Sequence, residues 1–173
     1  MNIVLRRALL TFAAVAAANT LAIPAASADP STSLSFTAED GAWPVHGRSA
    51  QWTSPAQEIN VWENAGVVKV DAEADGGFDY IRIELSDAGG AVLRPGTYPG
   101  ARFRGQRDAP LATPGIFLVS NGFGCGKEDY ADFTVARIER DATGKLTAFD
   151  ADVDQRCGGP DKPAFRATIR FQA

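Results

Sequence analysis

Phe149-Asp150-Ala151-Asp152-Val153-Asp154 alternates apolar and acidic residues without a break. An extended chain turns successive side chains to opposite faces. Phe149, Ala151 and Val153 therefore share a face assigned to a core, and Asp150, Asp152 and Asp154 share one that meets water. The stretch lies within a strand predicted over residues 145–157. Its partner is predicted over 132–140, across the turn sequence Asp141-Ala142-Thr143-Gly144. Phe133 and Val135 keep the phase, but Ile138 follows Val135 by three residues, and Phe149 follows Leu146 by three. A bulge or strong twist near the turn returns Ile138 and Leu146 to the core.

The rest of the chain has the same texture. All 17 glycines and nine of the ten prolines follow residue 28, with short runs of Val, Ile, Phe, Tyr and Thr between them. These runs predict strands over 33–37, 49–53, 58–63, 67–72, 78–86, 91–93, 98–104, 116–120 and 164–171, with Pro99-Gly100 as an interruption. No helical period is sustained over ten residues after the N-terminal segment. The expected fold is all-β, a single antiparallel β-sandwich of about eight to ten strands. Phe36, Phe103, Phe117 and Phe171 are expected in its core.

Residues 1–28 read as an export signal. Arg6-Arg7 is followed by an apolar run over 8–18, too short to span a bilayer, and by the small-x-small site Ala26-Ser27-Ala28. The domain expected in the mature protein is then 29–173, beginning at Asp29, and its location is secreted or periplasmic. The cut removes two arginines and no acid, so the net charge falls from −4 to −6. An acidic surface argues against nucleic acid as a partner. No second apolar run approaches the ~20 residues of a membrane span.

The hairpin also carries a resemblance. The pattern Phe133-x-Val135-x-x-Ile138, Gly144-x-Leu146, then Phe149-x-Ala151-x-Val153-x-Gln155-x-Cys157 resembles a domain found in secreted proteins of soil bacteria. Leu93-x-Pro95-Gly96-Thr97-Tyr98-x-Gly100-Ala101, Gly124-Cys125 and Phe36-x-x-Glu39-x-Gly41 are similar to it as well. The resemblance implies an exported β domain and brings no active site. Cys157-Gly158-Gly159 stands where that pattern has Cys-Glu-Gly.

Cys125 and Cys157 are the only cysteines, and in an exported chain they read as a disulfide. Their separation suits neither zinc spacing nor a redox pair. His46 is the only histidine, and no nucleophile motif surrounds it, so it reads as a loop residue rather than a member of a catalytic set. Asp150, Asp152 and Asp154 are the metal candidates. They would need loop carbonyls or further acids such as Asp129 or Asp132 to complete a Ca²⁺ shell. The competing reading is a solvated face balanced by Arg137 or Arg170 across the ladder. Arg94, Arg102, Arg104 and Arg107 form the one basic cluster, with Arg102 and Arg104 on one strand face, suited to planar recognition of carboxylate or phosphate. The domain's own acids are the alternative partners. Trp62, beside Asn60 and Asn64 and opposite Ile59 and Val61, is a candidate stacking platform. Trp43 and Tyr80 are further aromatic candidates.

No cofactor motif and no catalytic constellation emerges. The expected function is a non-catalytic binding domain for an extracellular glycan, cell-wall polymer or protein. The alternatives are a carboxylate-based secreted hydrolase, or an inhibitor of hydrolases or proteases acting through a rigid loop over 123–128 beside the disulfide. Two facing carboxylates in a cleft would favour the hydrolase, a flat aromatic strip a glycan binder, and a protruding braced loop an inhibitor.

Overall fold

The computed structural model describes residues 31–105 and 111–173. The export signal, the cleavage point at Asp29 and Arg107 lie outside the described residues. The strands are β1 (Ser31–Ala38), β2 (Ser49–Thr53), β3 (Glu58–Asn64), β4 (Val67–Ala74), β5 (Asp79–Ser86), β6 (Gly96–Phe103), β7 (Gly115–Ser120), β8 (Phe123–Gly124), β9 (Asp129–Arg140), β10 (Leu146–Cys157) and β11 (Ala164–Gln172). The only helical segments among the described residues are three single turns of three residues each.

All eleven strands join one sheet in the order β2-β1-β11-β10-β9-β6-β7-β5-β4-β3, with β8 paired to β7. The two end strands, β2 and β3, are consecutive in the chain, so the sheet nearly closes on itself. Gln57 ties the turn between them: its N–H donates to the Thr53 carbonyl at 3.1 Å, and its Oε1 accepts the Thr53 N–H at 2.8 Å. One apolar cluster takes side chains from every strand of the path. Leu34, Phe133, Phe149, Phe165 and Ile169 are among its largest fully buried members. At one end Glu63 of β3 receives a two-point guanidinium contact from Arg140 of β9, at 2.5 and 2.8 Å.

The pairing is antiparallel with one exception. β6 meets β7 in parallel over Arg102↔Gly115 and Phe103↔Ile116. The hairpin that decided the fold class forms as read. Asp141 closes its turn by accepting the N–H of Thr143 at 2.8 Å and of Lys145 at 3.0 Å. The expected bulge is present: the β9–β10 register shifts between Leu146 and Ala148 and again between Asp150 and Ala151. Pro99-Gly100 interrupts β6, whose register against β9 shifts between Tyr98 and Ala101.

Three expectations need correction. Residues 91–93 form no strand; Leu93 is instead a buried plug in the loop before β6. Phe171 is half-buried against the core, and Phe103 and Phe117 are half-buried outside it. Their rings face each other at 6.2 Å. The inward positions of β7 are taken by Ile116 and Leu118, which leaves Phe117 on the outer face. β8 was not foreseen. Asn121 and Gly122, both at positive φ (51° and 86°), turn the chain from β7 straight back. This is the two-residue turn in which Asn-Gly is favoured.

Candidate functional site

The disulfide Cys125–Cys157 is formed, with Cα atoms 5.4 Å apart, inside the range such a bridge requires. It fastens the strand following the β7–β8 turn to the end of β10. Around it the chain assembles an aromatic end. The loop between β1 and β2 is pinned by buried Ala42 and Val45, and this holds Trp43 and His46 toward β8. The Trp43 indole N–H donates to the Gly124 carbonyl at 2.9 Å. Its ring meets Phe123 edge-on at 5.4 Å and His46 edge-on at 4.6 Å. Phe123 remains 52 % exposed.

A polar network fixes the tip from below. The Asn121 carboxamide accepts the Tyr80 N–H at 2.8 Å and donates to Asp79 at 3.2 Å. Arg48 bonds both Asp79 and Ser120. Phe78, one residue before Asp79, is 84 % exposed at the same end. The interplanar angles among Trp43, His46 and Phe123 run from 68° to 86°. The rings form a herringbone with one projecting member, not a flat strip. His46 is the loop residue expected, in a left-handed conformation with φ 59°.

A second feature lies on the outer face of β9, β10, β11 and β1. The backbones of Phe133, Val153, Ala167 and Phe36 floor a groove of about 440 Å³. Two polar rows wall it. Thr134, Asp152, Thr168 and Ser35 are successive cross-strand partners, as are Asp132, Asp154, Arg166 and Thr37. The side chains are fixed by their neighbours. Asp152 accepts the Thr168 hydroxyl at 2.6 Å and lies 3.6 Å from Arg170. Asp154 takes Arg156 at 2.9 Å and Arg166 at 3.0 Å. Asp132 accepts the Gly100 N–H at 2.7 Å and the Tyr130 hydroxyl at 3.3 Å. At the rim, the Ala164 N–H and then Arg166 hold the Glu39 carboxyl below its ordinary range.

The acid row thus faces outward as read. Arg166, Arg156 and Arg170 meet Asp154 and Asp152, and Arg137 lies opposite Asp150 in the ladder and is attracted to it, while giving its two hydrogen bonds to Glu139, at 2.8 and 3.1 Å. Among the described residues, no group of three or more His, Cys, Asp or Glu side chains is arranged to hold a metal ion. Asp129, one of the supplementary acids considered, points inward. It is 0 % exposed and pairs with the buried Gln155, whose Nε2 donates to Oδ1 at 2.6 Å. Desolvation pushes its carboxyl up to about 7, against the opposing hydrogen bonds from Gln155 and the Tyr130 N–H.

The basic cluster does not form the expected face. Arg102 is exposed, with its guanidinium over the Tyr130 ring at 5.1 Å. Arg104 lies just beyond the end of β6 and is only 4 % exposed. Its side chain runs over Gly115 so closely that a Cβ there would lie 2.6 Å from Arg104 Cγ. Arg104 is therefore a packing residue and not a surface ligand contact. Trp62 is 39 % exposed on the predicted face of β3, beside a groove of about 320 Å³ shared with Leu146 and Phe171. Tyr80 is half-buried on the outer face of β5. The structure brings Trp43 together with Phe123, and leaves Trp62 outside that cluster.

No family model matches this chain, and neither a curated protein nor a solved structure does. Among the described residues no helix is long and apolar enough to cross a membrane.

Proposed function

We propose that this chain is an exported, non-catalytic binding domain of the secreted β-domain type that its hairpin resembles. It engages a protein partner through the braced Asn121–Gly124 turn, with Phe123 as anchor. In this reading the nearly closed sheet is flattened into the two layers of a sandwich, and the disulfide matches an oxidising compartment outside the cytoplasm.

One observation carries the proposal. A large apolar ring stands half in solvent, edge-on to Trp43 and His46, on a backbone held by the β7–β8 ladder, by the Trp43 bond to Gly124 and by the neighbouring disulfide. Binding costs free energy mainly where groups must be ordered, and an anchor already in place avoids that cost. Well-packed aromatics are the commonest source of interface affinity. The herringbone favours a protein pocket over a glycan, because a sugar face stacks on a flat ring surface. If the partner is an enzyme, the domain is the inhibitor considered above.

The hydrolase alternative rests on Asp132 and Asp154, opposite each other in the groove. A general acid must hold a proton and touch its substrate. Asp132 is instead engaged by the Gly100 N–H and the Tyr130 hydroxyl, and Asp154 by Arg156 and Arg166. Two carboxylates held by fixed donors support binding over acid–base catalysis.

A photo-crosslinking phenylalanine analogue tests the proposal. Placed at position 123 in the producing organism's culture, it should yield one dominant protein adduct, lost in the Trp43→Ala background. Placed at Val92, which is also exposed, it should yield none. Equal adducts at both positions, or no adduct at 123, would contradict the reading.

A further inference from the structure

We infer that the groove across β9, β10, β11 and β1 is a second binding site, and that it takes a neutral, polyhydroxylated oligosaccharide. It belongs to a different face from the Phe123 turn and uses none of its residues. Its donors and acceptors are mixed. Carboxylates only accept, guanidinium only donates, and threonine hydroxyls do both. Asp132, Asp154 and Arg166 lie side by side in one row, with Thr134, Asp152 and Thr168 in the next. Neighbouring strands are about 4.8 Å apart, and rows about 6.6–7 Å apart. The groove therefore sets three carboxylate acceptors among the Arg166 guanidinium and the Thr134, Thr168, Ser35 and Thr37 hydroxyls, at intervals on the scale of a whole sugar ring rather than of neighbouring hydroxyls.

Charge excludes the other small-ligand classes. Three carboxylates line the groove, and Arg166 with the flanking Arg156 and Arg170 face them. An anionic ligand would meet the acids, and a cationic one would compete with arginines already in place. An apolar ligand would strip water from fixed polar groups without replacing its hydrogen bonds. A neutral polyol meets neither penalty, since each hydroxyl can donate to a carboxylate and accept from Arg166. The side chains are also preset: the Thr168–Asp152 bond at 2.6 Å and the Arg166–Asp154 bond at 3.0 Å exist without ligand. Little side-chain ordering then opposes binding.

The test uses the disulfide-bonded chain and neutral hexasaccharides of glucose, mannose, xylose and N-acetylglucosamine, with hexagalacturonate as the charged comparison. Amide chemical shifts report the location. A neutral hexasaccharide should shift the Thr134, Asp152 and Thr168 amides saturably, and hexagalacturonate should bind more weakly. Thr134→Val and Thr168→Val keep the β-branched shape and remove one hydroxyl each. Each should weaken binding roughly tenfold; the melting temperature should stay nearly unchanged in Thr134→Val and fall by a few degrees in Thr168→Val, which also gives up the bond to Asp152. Three results would overturn the inference: no groove shift with any neutral hexasaccharide, tighter binding of hexagalacturonate, or wild-type affinity in both valine variants.

Discussion

Asp129→Asn should remove a pH dependence of folding stability amounting to about 4 kcal/mol. The reason is a pair of stranded acceptors. Asp129 Oδ2 and Gln155 Oε1 are both buried and have no hydrogen-bond partner among the described residues. Gln155 Nε2 already donates to Asp129 Oδ1. A proton on Oδ2 would be donated to Oε1 and close a two-bond acid–amide ring, satisfying both atoms at once. Among the described residues, what acts on the carboxyl besides burial are the hydrogen bonds from Gln155 and the Tyr130 N–H.

The sign follows from the direction of the shift. The folded carboxyl titrates at about 7, and the unfolded one at about 3.9. Between those values the folded state keeps a proton that the unfolded state has lost, so stability falls as pH rises. The contribution is intact below about pH 4 and fully lost above about pH 7. Asn at this position supplies its own donor to Gln155 Oε1 and does not titrate. Denaturant unfolding of both proteins should therefore give a stability difference that swings in favour of the variant between about pH 4 and pH 8. A difference that stays flat would show that Asp129 titrates normally.

Removing the disulfide is the other large effect. Cys125 and Cys157 are 32 residues apart, and in the chain-entropy model a closed loop of that length stabilises by about 3–4 kcal/mol. The Cys125→Ser/Cys157→Ser double variant should melt roughly 10 °C lower. The loss should be local as well as global, because the bridge is one of three braces on the Phe123 turn. Amide exchange should quicken first at residues 121–128. An unchanged melting temperature would mean that the bridge only decorates a fold held elsewhere.

What the sequence revealed, and what it hid, follows from the range of each interaction. The β9–β10 hairpin was legible because alternation, turn residues and bulge are all local. The disulfide was legible because a chain with only two cysteines leaves one pairing. The Asn121-Gly122 turn was equally local, but the surrounding glycines read as a loop and masked β8. Arg104 was misplaced because face parity was carried past Phe103, where the strand ends. The groove had no local signature. Asp132, Arg166, Thr168 and Ser35 come together only through registers linking β9, β10, β11 and β1, across more than a hundred residues of chain. Asp129 showed as one more acid in a polar stretch, and only the packing turns it inward.

The central claim is that Phe123 is an anchor fixed before any partner arrives. Backbone amide relaxation measures that directly. The order parameters of Phe123 and Gly124 should match those of β7, at about 0.85, and fall below about 0.6 in Trp43→Ala or after reduction of the disulfide. Values already below about 0.6 in the intact, oxidised protein would contradict the account.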